Sequence, residues 1–483
     1  MKAVNIKSTC GKLAALAIAA SAAIPMAVNA TDITITTNNV TWRFTIPAPN
    51  GAAGTAMIGI NPSANGMDNR DSTTYRAIVD GTTNGGISVD AASIPWQFDY
   101  EGTHYTVTTI SLGAFFWRSN RTHAKLIGTL TIPDSVTEVR NHAFNGQESL
   151  SGFVGGKNVQ NWGSGTSGGG IFSGCKNMVG VFPDFSQATL FGDSIFQDAT
   201  KMTGTLKFSD LLTRVDFNAF QTTRSFGTVV IPASVDNIGN NMGTGYGFGV
   251  FYNCPYLEAV WVKGKPANSQ SYTTVYAASF VRSCSSMKMI LFGQNTKGAS
   301  MNAMNGTQDG HRMLNGDSNV QLFVPANGYW TGLIPGGTNT KTWWYSSTNE
   351  FDLAINDTDM TATFTPTTVN ALTNALSWTS DFKTYFNLDA HISVTNTLDL
   401  TGVTIDSAAL SGVTFDRLMF TATTQAQLNA ILAAFPATTP ISIDPTGLTE
   451  NMVIPETYNN VHVKTVPGVT IKRTTKGFMI IVK

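Results

Sequence analysis

Cysteine is scarce in this chain: four in 483 residues, at positions 10, 175, 254 and 284. That is too few for a disulfide-stapled scaffold. Charge is also sparse, with 30 basic and 31 acidic side chains and 13% charged residues. A weakly acidic surface lacks the basic stripe that a nucleic acid requires, so no nucleic-acid partner is expected. The six histidines (His104, His123, His142, His311, His391, His462) never fall at i, i+3 or i+4, so no metal site is expected. No run of 18 or more apolar residues follows residue 30, which excludes a membrane-spanning helix in the processed chain.

Catalytic patterns are equally thin. Gly165-Thr-Ser-Gly-Gly169 fits G-x-S-x-G, but that motif needs a strand before it and a helix after it. Here it sits in a glycine-rich loop over 155–170. Asp357 and Asp359 lie in INDTDMT, which lacks the glycine and distal glutamate of a calcium loop. No catalytic residue, metal or cofactor is expected, and the protein reads as a non-enzyme.

What the chain does carry begins with an export signal over residues 1–30. Lys2, Lys7 and Lys12 form the basic start, Leu13 to Ala27 the apolar middle, and Val28-Asn-Ala30 the small-residue cut. Cys10 precedes the apolar stretch and so is not an acylation site. Cleavage removes three lysines and no acids, moving the formal net charge from −1 to −4.

The dominant feature is a repeat. Phe144 is followed by Gln147 and Leu150, and the same offsets recur as Phe172/Cys175/Met178, Phe196/Ala199/Met202 and Phe220/Thr223/Phe226. They recur again as Phe251/Cys254/Leu257 and Val281/Cys284/Met287, with a weaker first copy at Phe115. Anchor spacings are 29, 28, 24, 24, 31 and 30 residues. Self-similarity at this period predicts a solenoid, because one unit cannot close a core alone but stacked units bury a continuous one. Each triplet leads to a short alternating segment such as Thr129–Ile132 or Thr228–Ile231. One parallel strand per turn, about 4.8 Å from the next, is therefore expected. Cys175, Cys254 and Cys284 share one inward slot with Ala199 and Thr223. Cys175 and Cys254 stand three turns apart, roughly 14 Å, beyond the ~7 Å reach of a disulfide. Buried free thiols are the expectation.

The segments IPDSVTEVRNHAFNGQESL, IPASVDNIG…FYNCPYLEAV and YEGTHYTVTTISLGAF resemble repeats of bacterial surface leucine-rich repeat proteins of the BspA type. Those repeats run close to IPxSVTxIGxxAFxxCxxL. The resemblance covers about 93–293, and LFVPANGYW (322–330) resembles that family's closing segment. This chain departs from the pattern in keeping cysteine in only three of seven units and in a glycine-rich insertion at 240–249. The resemblance implies a mainly β leucine-rich repeat solenoid over 93–347 and a role in adhesion, including to extracellular-matrix proteins. A β cap over 31–92 is expected, with strand candidates at Val40–Ile46 and 75–79. Residues 294–319 read as a loop, with Val320–Val324 returning as the closing strand and Trp330, Trp343 and Trp344 covering the last turn. Residues 348–483 read as a separate mixed/β region. In it, helical spacing falls at 369–376 and 424–435, a five-residue apolar period runs from Leu400 to Phe420, and a hairpin spans 469–482.

Outward strand positions make the candidate binding surface: Thr129, Thr131, Thr205, Lys207, Thr228, Val230, Trp261, Lys263, Met289 and Leu291. Its last turns are apolar, and residues 294–347 are one candidate cover for them. Two readings stand. In one, an exported interaction protein holds a protein or glycan of a host or neighbouring cell surface. In the other, the protein binds or acts on glycans through 348–483, with the repeats as spacer. A structural surface-coat component is a third.

Overall fold

The computed structural model describes residues 30–48, 51–60, 76–78, 87–117, 124–163, 170–224, 227–239, 249–266, 269–276, 280–299, 314, 319–327, 329–330, 341–345, 350–394, 398–405, 418–466, 471–475 and 478–482. Several expectations lie outside these residues: the export signal, the G-x-S-x-G segment, the insertion at 240–248, most of the 294–319 loop, and the middle of the five-residue period.

The repeats wind into a solenoid, with two parallel strands per turn along most of the coil rather than the one expected. The first is the alternating segment: Lys125–Ile132, Leu150–Gly155, Val179–Val181 and Met202–Thr203, then Thr228–Ile231, Ala259–Val262 and Met289–Phe292. The second is short and lies across the coil: Glu138–Val139, Asn161–Trp162, Leu190–Phe191, Arg214–Val215, Asn237–Ile238 and Thr273–Tyr276. Each of these short strands pairs in parallel with its counterpart in the next turn. Two residues are too few to show alternation in the sequence, yet one inward side chain per turn is enough. Val139, Trp162, Phe191, Val215, Ile238 and Val275 form a fully buried row. Ahead of that row the chain carries a backbone ladder of its own. Thr137, Gln160, Thr189, Thr213 and Asp236 each donate an N–H to the carbonyl of the residue one turn earlier.

The phenylalanine anchors build a stack of rings. Phe115, Phe144, Phe172, Phe196, Phe220 and Phe251 face one another at centroid separations of 5.1, 5.3, 5.2, 6.0 and 5.8 Å, all within 18° of parallel. Backbone bonds fix that spacing. The N–H of each anchor donates to the carbonyl just before the next anchor, as in Phe144 to Ile171 at 2.9 Å and Phe196 to Ala219 at 2.8 Å. In the last repeat the stack ends, since Val281 occupies the anchor place and Phe280 meets Phe251 edge-on at 6.1 Å.

The slot three residues after the anchor is buried and holds free thiols at Cys175, Cys254 and Cys284. Each Sγ donates to the carbonyl of the preceding anchor: Cys175 to Phe144 at 3.2 Å, Cys254 to Phe220 at 3.1 Å, Cys284 to Phe251 at 2.9 Å. Gln147 does the same with its amide, Nε2 to Phe115 O at 2.6 Å, while Leu126 N–H donates to its Oε1 at 2.8 Å. A weak donor in this slot thus satisfies an inward-facing carbonyl. Tight packing of turns also sets glycines. A Cβ on Gly293 would lie 1.9 Å from Lys263 O, and one on Gly155 (φ +92°) 2.0 Å from Ile132 O.

An antiparallel hairpin of Thr31–Thr37 and Val40–Ile46 closes the N-terminal end, with Trp42 and Phe44 fully buried under it. Thr55–Ile58 links this hairpin in the same sheet to Thr103–Ile110, the first strand of the coil.

The C-terminal side differs from the expected arrangement in two respects. Part of the predicted loop, Thr296–Ala299, is a strand paired with Thr273–Tyr276. Beyond it, Gln321–Pro325 is the expected closing strand, but Lys341–Tyr345 adds a further parallel strand after it. The sheet then continues without a break. Phe351–Asn356 joins Lys341–Tyr345, pairs antiparallel with Thr361–Pro366, and the order runs on through Asp389–Val394, Leu418–Thr421, Ile441–Asp444 and Val461–Val463. Two helices return over this sheet, α1 (Val369–Phe386) and α2 (Gln425–Ala434). Thr424 caps α2 through a capping box with Gln427, and Pro436 follows its end. α1 runs ten residues past its expected end at 376. Ser377, Thr379, Ser380 and Thr384 are weak helix formers, but Trp378, Phe382 and Phe386 recur every fourth residue and are all buried. The hairpin Ile471–Thr475 with Phe478–Val482 is as expected.

The C-terminal region has its own apolar core, built on α1 and α2, and the coil shares that core. Alternate residues of the shared strands serve both. Val260, Val262, Ile290 and Phe292 face the interior of the coil, whereas Trp261, Met289, Leu291 and Phe323 face α1.

Candidate binding surface

The outer face of the coil is divided into a bare stretch, a covered stretch and a cleft between them. The bare stretch is the sheet of Lys125–Ile132, Leu150–Gly155, Val179–Val181 and Met202–Thr203. Thr129 and Thr131 are exposed there as expected. Register places Thr131 opposite Val154 and Val181 opposite Thr203, with Gly180 opposite Phe153, so Val154 and Val181 share a row. These residues were missed in the sequence. Val154 is 56% exposed, Val179 53% and Val181 64%. Their strands are short and glycine-interrupted, so alternation was too faint to assign an outward side.

The covered stretch holds the apolar candidates. Trp261, Met289 and Leu291 do lie on the outward side, but at 1%, 1% and 0% exposure they offer nothing to solvent. Their main cover is α1. Phe386 meets Trp261 at 6.0 Å, while Trp378 and Phe382 stand edge-on to Phe323 at 5.1 Å each. Trp343 contributes by packing on Trp378 at 4.7 Å, whereas Trp330 lies inside the coil against Phe292 at 4.3 Å. The signal for this burial was present. AVWV and MILF are continuous apolar runs, the mark of strands enclosed on both faces, unlike the alternating TLTI. Lys263 is also engaged, 3.5 Å from Asp357 and 5.1 Å from the Trp261 ring centroid.

Between the two stretches, where α1 ends, lies a cleft of about 430 Å³. Five of the expected residues line it: Thr205, Lys207, Thr228, Val230 and Lys263, facing Thr384, Tyr385 and Asn387 of the helix end. Lys207 pairs by backbone with Val230, which pairs with Trp261, so the cleft floor and the covered Trp261 belong to one strand row. Burial, with the nearby Asp381 and Glu258 carboxylates adding to it, raises the pKa of the Tyr385 hydroxyl, which stays neutral at physiological pH. Asp381 is itself raised by burial, an effect partly offset by Gln321 Nε2 at 3.4 Å.

Among the described residues no group of three or more His, Cys, Asp and Glu side chains gathers to hold a metal. His104 meets Asp99 at 2.8 Å on the surface, and His142 is buried beside Asn145. Asp359 accepts from Asn356 at 2.8 Å within the hairpin turn. Among the described residues no helix is long and apolar enough to cross a membrane.

Residues 108–258 match the BspA type leucine rich repeat region, in six copies. No curated protein matches the sequence. Similar solved structures include the following three. A leucine rich cell surface protein of Faecalibacterium prausnitzii A2-165 is 14% identical, covering 66% of this chain and 96% of its own, with TM-score 0.31. The pneumococcal vaccine antigen PcpA is 13% identical, covering 90% and 99%, with TM-score 0.34. A leucine-rich repeat protein of Bacteroides ovatus ATCC 8483 is 14% identical, covering 65% and 100%, with TM-score 0.22.

Proposed function

We propose, from the premise that residues 108–258 form a BspA-type leucine-rich repeat region, that this is an exported, non-enzymatic adhesion protein of the bacterial surface. It holds a protein partner on the bare outer face of its coil. The observation that carries this reading is the row of Val154, Val179 and Val181, each more than half exposed, beside Thr129 and Thr131 on a face that no described residue covers. Apolar side chains on a firm sheet supply the dry centre of an interface, and the threonine hydroxyls supply a rim able to donate and accept. The bare stretch replaces Trp261, Met289 and Leu291 as the apolar part of the surface, since those residues are sealed under α1.

The test is a binding screen of residues 31–483 against immobilised extracellular-matrix proteins, repeated with Val154→Asp/Val181→Asp. Charges placed in an apolar interface centre weaken binding by at least tenfold, or about 1.4 kcal/mol, while thermal stability holds because both side chains are exposed. Equal binding by the double variant sinks the proposal.

A further inference from the structure

The cleft beneath the end of α1 differs in chemistry from the bare sheet. Its ≈ 430 Å³ is in the range of pockets that enclose one small ring. At the floor Val230 is bridged to Lys207 on one side and paired with Trp261 on the other, so its backbone is not open to a peptide adding as an extra strand. What the cleft presents is mixed. Val230 and Tyr385 give an apolar surface, and Thr205 and Thr228 give hydroxyls. Lys207 and Asp210 give one cation and one anion, neither of them in an ion pair among the described residues. Lys263, by contrast, is held by Asp357 at 3.5 Å. One opposite pair of charges leaves the cleft neutral on balance, so its charged groups act as strong hydrogen-bond donors and acceptors rather than as a net field. A ring with one C–H face and a belt of hydroxyls answers each of these features.

We propose that this cleft binds a single neutral sugar unit, with its C–H face on Val230 and Tyr385 and its hydroxyls between Lys207, Asp210 and Thr228. The unit is either a free monosaccharide or the end of a glycan chain. The site is independent of the protein-binding face, since it shares none of Val154, Val179 or Val181.

The experiment is saturation-transfer NMR on residues 31–483, with the methyl glycosides of glucose, galactose, mannose and N-acetylglucosamine as probes and glucuronate as the charged contrast. At least one neutral glycoside receives saturation, with a dissociation constant on the order of millimolar, and an oligosaccharide ending in that sugar binds at least as well. Val230→Trp fills the cleft and abolishes the signal. Lys207→Ala, an exposed and structurally neutral change, weakens binding by about tenfold. Val154→Asp/Val181→Asp leaves it unchanged. The proposal is overturned if no neutral glycoside receives saturation, if glucuronate alone does, or if the signal persists undiminished in both Val230→Trp and Lys207→Ala.

Discussion

Removing the ring of Phe196 takes away two stacking partners at once, Phe172 at 5.2 Å and Phe220 at 6.0 Å, along with an edge-on contact to Phe182 at 5.1 Å. Phe196→Ala is expected to destabilise by about 3–5 kcal/mol, read as a lowered denaturant midpoint. A midpoint within error of the unchanged chain would mean that the ring stack is not a structural spine. A second residue-scale expectation concerns pH. Burial pushes the pKa values of Cys175 and Tyr345 far up, so both remain protonated in the fold. In the unfolded chain a thiol ionises near ~8.5 and a phenol near ~10. The unfolded state therefore sheds protons first as pH rises, and stability present below those values declines above about pH 8.5. Chemical denaturation from pH 7 to 10 should show that decline, and Cys175→Ala should remove its first part. The anchor triplet and thiol ladder were legible because apolar identity repeats in them. The left-handed turn positions were not. His142, Ser194 and Asn218, two before their anchors, and Asp198, Thr222 and Asn253, two after theirs, all have φ between 54° and 62°. These six sites use five residue types, so backbone shape repeats there and chemistry does not. Bonds between turns help hold such strained positions, as where the Thr222 hydroxyl donates to Asp198 of the turn before.

Among the elements, α1 is the one whose loss has the widest reach, because one helix seals Trp261 and Phe323 and packs on Trp343. Ala375→Pro, at a buried mid-helix position, removes a backbone bond and clashes with the preceding turn, at about 3 kcal/mol or more. The expected result is a red shift of tryptophan emission and binding of a hydrophobic dye, with the β signal of the coil retained. Unchanged emission would show that the helix does not cover the sheet. The capped start of α2 at Thr424 could be read directly from sequence, since a threonine, a glutamine three residues on and a terminal proline are local signals. The second half of α1 could not be. Its weak helix formers are overridden by Trp378, Phe382 and Phe386, each of which packs on a ring more than 50 residues earlier in the chain, Phe323 or Trp261. Short strands such as Glu138–Val139 escaped for a related reason: stacking on neighbours, rather than local propensity, makes them strands.

For the whole molecule, the unbroken sheet from Thr228–Ile231 to Val461–Val463 bears on where the chain divides. Residues 348–483 read as a separate region because the repeat stops there, yet their core includes Trp261, Met289 and Leu291 of the coil. Cutting at 347 would bare those side chains on one fragment and strip α1 of its platform on the other. A fragment of 31–347 is expected to self-associate on size exclusion, and 348–483 to lack cooperative thermal unfolding. Two monomeric, cooperatively melting fragments would contradict this. The mainly β solenoid followed from periodicity and a β cap from the need to cover its first turn, though the Thr31–Thr37 strand of the N-terminal hairpin was not foreseen; the docking of the last region rests on two-sided burial, which only AVWV and MILF hinted at.

In the coil the hydrogen bonds between turns run along the stacking axis, so a pull between its two ends loads them one rank after another rather than all together. Such a spring pays out turn by turn. The ranks clamped beneath α1 should yield last, leaving the bare turns as the compliant part. Single-molecule extension should then show small successive steps, and one abrupt rupture would refute it. Under the adhesive role proposed above, that compliance would spread a sudden tug over time and spare the bond to the partner.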